Sequence, residues 1–133
     1  MPRWTLAVAT LLALVPTQIL AQNAAALSGT WRCVMNSAPA TVETTVFLAP
    51  DASVVANGLI ILNGTSGYFP YTGARGVWSI GPGDNGQAMV RIQIFPPNRP
   101  VFSLFVIPRD INNMYNYFAQ QGARVETACQ RIG

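Results

Sequence analysis

The side chains that most often carry enzyme chemistry are scarce in this sequence. The chain has 133 residues, contains no His and no Lys, and its eight basic residues are all Arg. Without His, the commonest general base and metal ligand is missing. Without Lys, mechanisms that use a Schiff base or a Ser–Lys pair are excluded. The sequence therefore offers only carboxylates and cysteines as candidates for chemistry.

Five carboxylates remain as candidate acids and bases. They are Glu43, Asp51, Asp84, Asp110 and Glu126. The three aspartates stand beside turn residues, where Asp normally bonds the local backbone. The two glutamates lie in β-type segments and would have to meet across a barrel to act as the carboxylate pair of a glycoside hydrolase. The favoured interpretation places them in solvent or beside an Arg such as Arg32 or Arg124. We therefore predict a protein that is not an enzyme and has no catalytic residue.

The two cysteines predict a disulfide rather than a metal or redox site. Cys33 and Cys129 do not form a Cys-x-x-Cys motif, and two isolated cysteines without His do not complete a zinc site. An even pair in an exported domain is most simply a disulfide. Its geometry requires the first and last strands to lie side by side. No metal and no cofactor are predicted.

The chain begins with the pattern of a secretory signal peptide, assigned to residues 1–21. Met1–Arg3 is a short cationic start, and Leu6–Val15 is an apolar run. This run is shorter than the roughly 20 residues that a membrane-spanning helix needs. A cut after Ala21 fits the pattern, with Ala24–Ala26 as a second candidate. The alternative is an uncleaved membrane anchor.

Residues 22–133 are expected to form one exported domain in an oxidising compartment, periplasmic or extracellular. No stable membrane insertion is expected after cleavage. The formal net charge of the whole chain is only +3, and no segment clusters Arg with exposed aromatic residues. Nucleic acid is therefore not an expected partner.

Short segments of β character, separated by Gly and Pro turns, run through this domain. They are Gly29–Met35, Thr41–Leu48, Val54–Leu62, Tyr68–Tyr71, Arg75–Ile80, Met89–Phe95, Val101–Ile107, Met114–Phe118 and Arg124–Arg131. Such regular spacing is typical of a barrel or a sandwich. We predict an all-β antiparallel meander barrel of about eight strands, with a sandwich as the alternative. A closed meander removes the sheet edges and brings the cysteines together. An outer-membrane barrel is disfavoured because the strands are short.

Three Asn residues mark turns or modification. Asn57-Gly58 interrupts a strand and predicts either a hairpin or a bulge, and Asn85-Gly86 suits a type I′ hairpin. Asn63-Gly64-Thr65 is a glycosylation sequon, which matters only if the source glycosylates and is otherwise a turn.

Two Gly-x-Trp motifs carry a resemblance to known barrels. Leu27–Trp31 opens the domain, and Gly76–Trp78 runs into the Asp84–Gly86 hairpin. These motifs resemble those of small secreted barrels of the calycin type, the lipocalins and avidins. The resemblance implies that each Gly lets the chain approach the barrel floor closely and that each Trp plugs it. Fold alone does not carry function.

Two features are candidate binding elements. Tyr68, Tyr71, Tyr115 and Tyr117, together with Phe69, supply aromatic surface outside the expected core, and Tyr suits ligands and interfaces. Arg99 is at the centre of the loop Pro96–Pro100, which proline stiffens so that little entropy is lost on binding. The alternatives are ordinary barrel packing for the aromatics and a rigid connector for the loop.

We predict a non-enzymatic, lipocalin-like barrel that binds a small apolar or amphipathic ligand in its mouth. The alternative is a module that binds an envelope protein or inhibits an enzyme through the proline loop. Interior volume separates the two hypotheses. A core filled by Trp31, Trp78, Phe47 and Phe102 would leave no cavity and would favour the alternative.

Overall fold

The computed structural model describes residues 24–64, 67–83, 85–120 and 122–133, with one short helix and eight strands. The elements are α1 (Ala24–Leu27), β1 (Gly29–Asn36), β2 (Ala40–Leu48), β3 (Ser53–Leu62), β4 (Tyr68–Pro82), β5 (Ala88–Phe95), β6 (Phe102–Asp110), β7 (Asn113–Gln120) and β8 (Ala123–Arg131). Each strand pairs antiparallel with the next, and β8 pairs with β1 to close a barrel. The barrel prediction is confirmed and the sandwich alternative is wrong. The predicted signal peptide lies outside the described residues.

Cys33 and Cys129 form the predicted disulfide. They are direct partners in the register between β1 and β8, with Cα atoms 4.1 Å apart. The bond therefore crosses the contact that closes the barrel, as the closure argument required. A disulfide is compatible with an oxidising, exported location.

Strand alternation decides which side chains enter the core. In β2, Val42, Thr44, Val46 and Leu48 are buried, as their spacing predicts. Phe47 lies between two of them, so it faces outward and is 46% exposed. Phe47 therefore does not help to fill the interior, because the two-residue period of a strand excludes it.

The segments Tyr68–Tyr71 and Arg75–Ile80 belong to one long strand, β4, rather than to two. A register shift against β3 next to Gly58 joins them. The Asn57 side-chain oxygen accepts a hydrogen bond of 2.7 Å from the Gly73 amide, and Gly73 has a φ of 65°. Of the two predicted alternatives, a hairpin or a bulge, Asn57-Gly58 is therefore the bulge. It shifts the pairing with β4 without ending the strand.

The β4–β5 connection is a hairpin of a different type from the one expected. Gly86 has a φ of 74°. The Gly86 amide bonds the Gly83 carbonyl at 3.1 Å, and the Gly83 amide bonds the Gln87 carbonyl at 2.6 Å. Gly86 is therefore the last residue of the turn and not one of its two central residues. The prediction of a type I′ turn centred on Asn85-Gly86 is wrong.

The two ends of the barrel differ. The closed end contains α1, the C-terminus and the loops 49–52, 83–87 and 111–112; the open end contains the loops 37–39, 63–67, 96–101 and 121–122. Trp31 and Trp78 are buried at the closed end. Their indole N–H groups donate to the carbonyls of Leu27 at 2.9 Å and Ala49 at 2.8 Å. Both Gly-x-Trp motifs therefore seal the same end.

The glycines of these motifs allow a close backbone approach. Gly29 has a φ of 129°, and a Cβ there would lie 2.7 Å from the Gly133 carbonyl oxygen. A Cβ at Gly76 would collide with the Gln93 carbonyl oxygen of β5. A side chain at Gly29 would displace the C-terminal residue, and one at Gly76 would push β4 away from β5.

Arg131 fastens α1 to the closed end. Its guanidinium donates to the carbonyls of Ala26 at 2.6 Å, Ser28 at 2.7 Å and Ile111 at 2.9 Å. It also lies 4.5 Å above the ring of Trp31, a favourable cation–π distance. One side chain thus joins the helix, a loop and the tryptophan plug. Cleavage at the second candidate site, after Ala26, would remove one of its three acceptors.

Candidate functional site

A cavity of about 460 Å³ opens at the end opposite the tryptophan plug. We call it the mouth cavity. Seven apolar side chains on the strands line it: Met35, Ala40, Val42, Ile60, Leu62, Phe69 and Phe102. They lie towards the ends of their strands nearest the open loops. The loop residues Ser37, Pro39, Arg99, Pro100 and Val101 complete the lining. Its size and apolar character are typical of small-molecule sites.

Side chains from neighbouring loops hold the rim of this cavity. The Asn63 side-chain amide donates to the carbonyls of Ser37 at 2.8 Å and Ala38 at 3.3 Å. The loop 63–67 is thereby tied to the loop 37–39. Asn63 of the predicted sequon thus has a structural role in the rim. Arg99 lies 3.9 Å from the centre of the Phe69 ring, which positions its guanidinium over an aromatic face of the lining.

A second cavity, of about 450 Å³, lies beside the first. The two share Met35, Ser37 and Pro39, and the second extends to Phe118 of β7 and Val125 of β8. The open end therefore presents two adjoining cavities that share part of their lining.

The seam between β6 and β7 is the weakest of the barrel. In the described part of the chain, their pairing runs from Asp110↔Asn113 only as far as Ile107↔Tyr115. Beyond that point the rings of Phe105 and Phe118 meet edge to face, with centroids 6.2 Å apart. A groove of about 490 Å³ runs along this seam and shares the two rings with the second cavity.

Tyr71 lies below the mouth cavity, inside the barrel. It is 7% exposed and its ring packs edge to face on Phe102, with centroids 6.1 Å apart. Its hydroxyl makes no hydrogen bond of acceptable geometry with the described residues. Burial raises the pKa of Tyr71, and the nearby Thr44 hydroxyl opposes that rise. At neutral pH the group is therefore an uncharged phenol within the core.

The predicted binding tyrosines do not form one site. Tyr68 is exposed, and Tyr115 and Tyr117 lie on the outward-facing side of β7. Tyr117 lines the groove at the seam. The Tyr115 hydroxyl donates to the Glu126 carboxylate at 2.9 Å, and this bond raises the pKa of Tyr115. Of the six residues named as candidate binding elements, Phe69 and Arg99 line the mouth cavity.

The remaining carboxylates have local partners or face outward. Asp51 bonds the Ser53 hydroxyl at 2.6 Å, and this bond lowers the pKa of Asp51. Asp110 accepts from the Asn112 amide at 2.8 Å, with the same effect on its pKa. Both cap turns as predicted, while Asp84 lies outside the described residues. Glu43 neighbours two buried residues on β2 and so points away from the interior. No glutamate pair forms inside the barrel.

Apart from Phe69, the apolar lining was not predicted as a site. Met35, Val42, Ile60 and Leu62 have the same residue types as the core and show no distinguishing signal in sequence. Only their position at the strand ends nearest the open loops could have separated them from the core. Arg99 was found because a charged residue within a proline-stiffened loop stands out.

Thr127 tests how much stability the protein loses when a buried hydroxyl has no hydrogen-bond partner. It is 1% exposed and its hydroxyl has no hydrogen-bond partner among the described residues. A buried hydroxyl without a partner costs free energy, so Thr127→Val is expected to raise the free energy of unfolding by about 1 kcal/mol. Thr44 is the matched control, since its hydroxyl donates to the Asn57 carbonyl at 3.2 Å. Thr44→Val should lower stability by about 1 kcal/mol. Urea unfolding of both variants measures this, and shifts of the same sign would contradict it.

Comparison with known protein families, with curated proteins and with solved structures finds no match to this chain. Within the described ranges, no cluster of three or more His, Cys, Asp or Glu side chains could hold a metal ion. Among the same residues, no helix has the length and apolar character that crossing a membrane requires.

Proposed function

We propose that the protein is an exported, non-enzymatic barrel that binds a small apolar or amphipathic ligand in its mouth, in the manner of a lipocalin. The observation that carries this proposal is the apolar mouth cavity of about 460 Å³. Binding there would bury apolar ligand surface without any rearrangement of the strands. The disulfide supports the exported location, and the absence of His and Lys from the sequence supports a binding role over catalysis.

The distribution of large side chains supports a ligand rather than a filled barrel. Trp31 and Trp78 occupy only the closed end, Phe47 faces outward, and Phe102 lines the cavity. The four residues that would have filled the interior therefore leave its open half accessible.

An interaction module is the second candidate, and one surface favours it. Phe47, Val77 and Phe95 are exposed on the outer wall at 46%, 48% and 42%. Phe47 and Phe95 lie in one row across β2 to β5, with Val55 and Arg75 between them. Exposed apolar side chains in proximity are typical of protein contacts. Arg99, by contrast, is held over Phe69, which supports a role toward the cavity.

Native mass spectrometry of the protein from the envelope of its own host is the first test. We expect a reproducible added mass of a few hundred daltons, in keeping with pockets of roughly 300–1,000 Å³. A clean mass in complex with a second protein would support the interaction module instead.

The position of the ligand is tested with an uncharged fluorescent probe, N-phenyl-1-naphthylamine. Ile60→Trp should fill the mouth cavity and weaken probe binding at least about ten-fold, equivalent to about 1.4 kcal/mol. Val77→Trp, on the exposed outer wall, is the matched control and should leave binding unchanged. Equal binding by both variants would exclude the mouth cavity as the site.

A further inference from the structure

Arg99 is the one charged residue among the described residues that line the mouth cavity. Its guanidinium is 3.9 Å from the centre of the Phe69 ring. No side-chain hydrogen bond joins its N–H groups to another described residue, and these groups match a carboxylate or a phosphate. Phe69 thus holds the Arg99 guanidinium at the edge of the cavity, where the apolar lining meets solvent.

The loops of the open end carry no acidic side chain to neutralise this cation. The four loops of that end, 37–39, 63–67, 96–101 and 121–122, contain no Asp or Glu. Arg99 is the one charged residue in their sequences. The loops around the mouth therefore favour an anion over a cation as the polar part of a ligand.

The space below Arg99 suits an elongated apolar group. The second cavity adjoins the mouth cavity at Met35 and Pro39 and reaches Phe118 and Val125. A chain that begins at Arg99 would therefore have apolar contacts along both cavities, and only its head would remain near solvent.

We infer that the ligand is an anionic amphiphile, with a carboxylate or phosphate head bound by Arg99 and an apolar tail in the two cavities. This inference rests on the proposed function, since it specifies the ligand of the same site. A free carboxylic acid and a phosphate monoester share this chemistry. The experiment separates them.

The test uses the full exported domain and displacement of N-phenyl-1-naphthylamine by three ligands with the same tail: decanol, decanoate and decyl phosphate. The pH is held well above the pKa of the carboxylic acid. We expect at least one of the two anions to bind at least about ten-fold more tightly than decanol. The tighter anion identifies the head group. The preference should fall as salt is added, since the head remains near solvent.

Substitutions test whether Arg99 is the source of the tighter binding of anions than of decanol. Arg99→Gln should bring the affinity for the anions to within about two-fold of the affinity of the same variant for decanol. Arg99→Lys keeps the charge but loses the planar edge, so an intermediate preference is expected. Arg124→Gln is the matched control, an exposed arginine at the same end that does not line the cavity, and it should keep the full preference.

The outcomes separate this inference from the proposed function. If the probe binds and is displaced equally by decanol and by both anions, the anionic head is wrong while the binding function stands. A preference that survives Arg99→Gln also overturns the inference. If neither probe nor amphiphile binds, the proposed function fails and the inference fails with it.

Discussion

Removal of the Cys33–Cys129 disulfide is expected to lower the free energy of unfolding by about 4 kcal/mol. The two cysteines are 96 residues apart in sequence, so the bond closes nearly the whole domain into one loop in the unfolded chain. In the chain-entropy model, a loop of about 100 residues corresponds to about 4.7 kcal/mol. Domains are typically stable by about 5–15 kcal/mol, so the loss would be a large fraction of the total.

This effect is measured by denaturant unfolding of the wild type with and without reductant and of the variant Cys33→Ala/Cys129→Ala. The double variant is the control for reductant, because its midpoint should not respond to it. The reduced wild type and the double variant should unfold at similar, lower denaturant concentrations. A shift of less than about 1 kcal/mol would contradict the entropic account.

Truncation of Trp31 is expected to have an effect of comparable size. Its side chain is fully buried, its indole N–H bonds the Leu27 carbonyl at 2.9 Å, and the Arg131 guanidinium rests on its ring. Trp31→Ala should cost about 4 kcal/mol through lost contacts and the space left behind. Trp31→Phe keeps an aromatic ring but leaves the Leu27 carbonyl without this donor, so about half that cost is expected.

Trp78→Ala is the matched control for the role of Trp31 in holding α1. Trp78 is also buried at the closed end, but its indole donates to the Ala49 carbonyl. The Ser28 amide bonds the Ala24 carbonyl at 2.9 Å and reports on the helix. Hydrogen exchange at Ser28 should accelerate in Trp31→Ala and not in Trp78→Ala. Equal acceleration in both would show that Trp31 does not specifically anchor α1.

The strands and their closure could be predicted because local pattern and covalent constraint agree. Alternation of Val42, Thr44, Val46 and Leu48 fixes one inward face, and the cysteines require the first and last strands to be neighbours. The Gly-x-Trp motifs also indicated the plugged floor. These signals depend on residues close in sequence or on a single long-range bond.

Other features depend on relations between distant strands. Whether Asn57-Gly58 forms a hairpin turn or a bulge depends on the Gly73 amide, which donates to the Asn57 side chain and lies sixteen residues away in sequence. Which side chains form the mouth depends on which barrel end the tryptophans occupy. Phe118 has the residue type of a core position, yet it lies at an incompletely paired seam. Sequence pattern alone carries no information on these relations.

The covalent link between β1 and β8 also bears on resistance to proteases. From Cys33 to Cys129 the backbone and the disulfide together form a ring. A single cut in any loop of that ring opens it but leaves both pieces joined as one molecule. A loop at the open end can therefore be cut once without the release of a fragment. The loop 96–101, the longest connection between strands, is among the segments that gain from this tolerance.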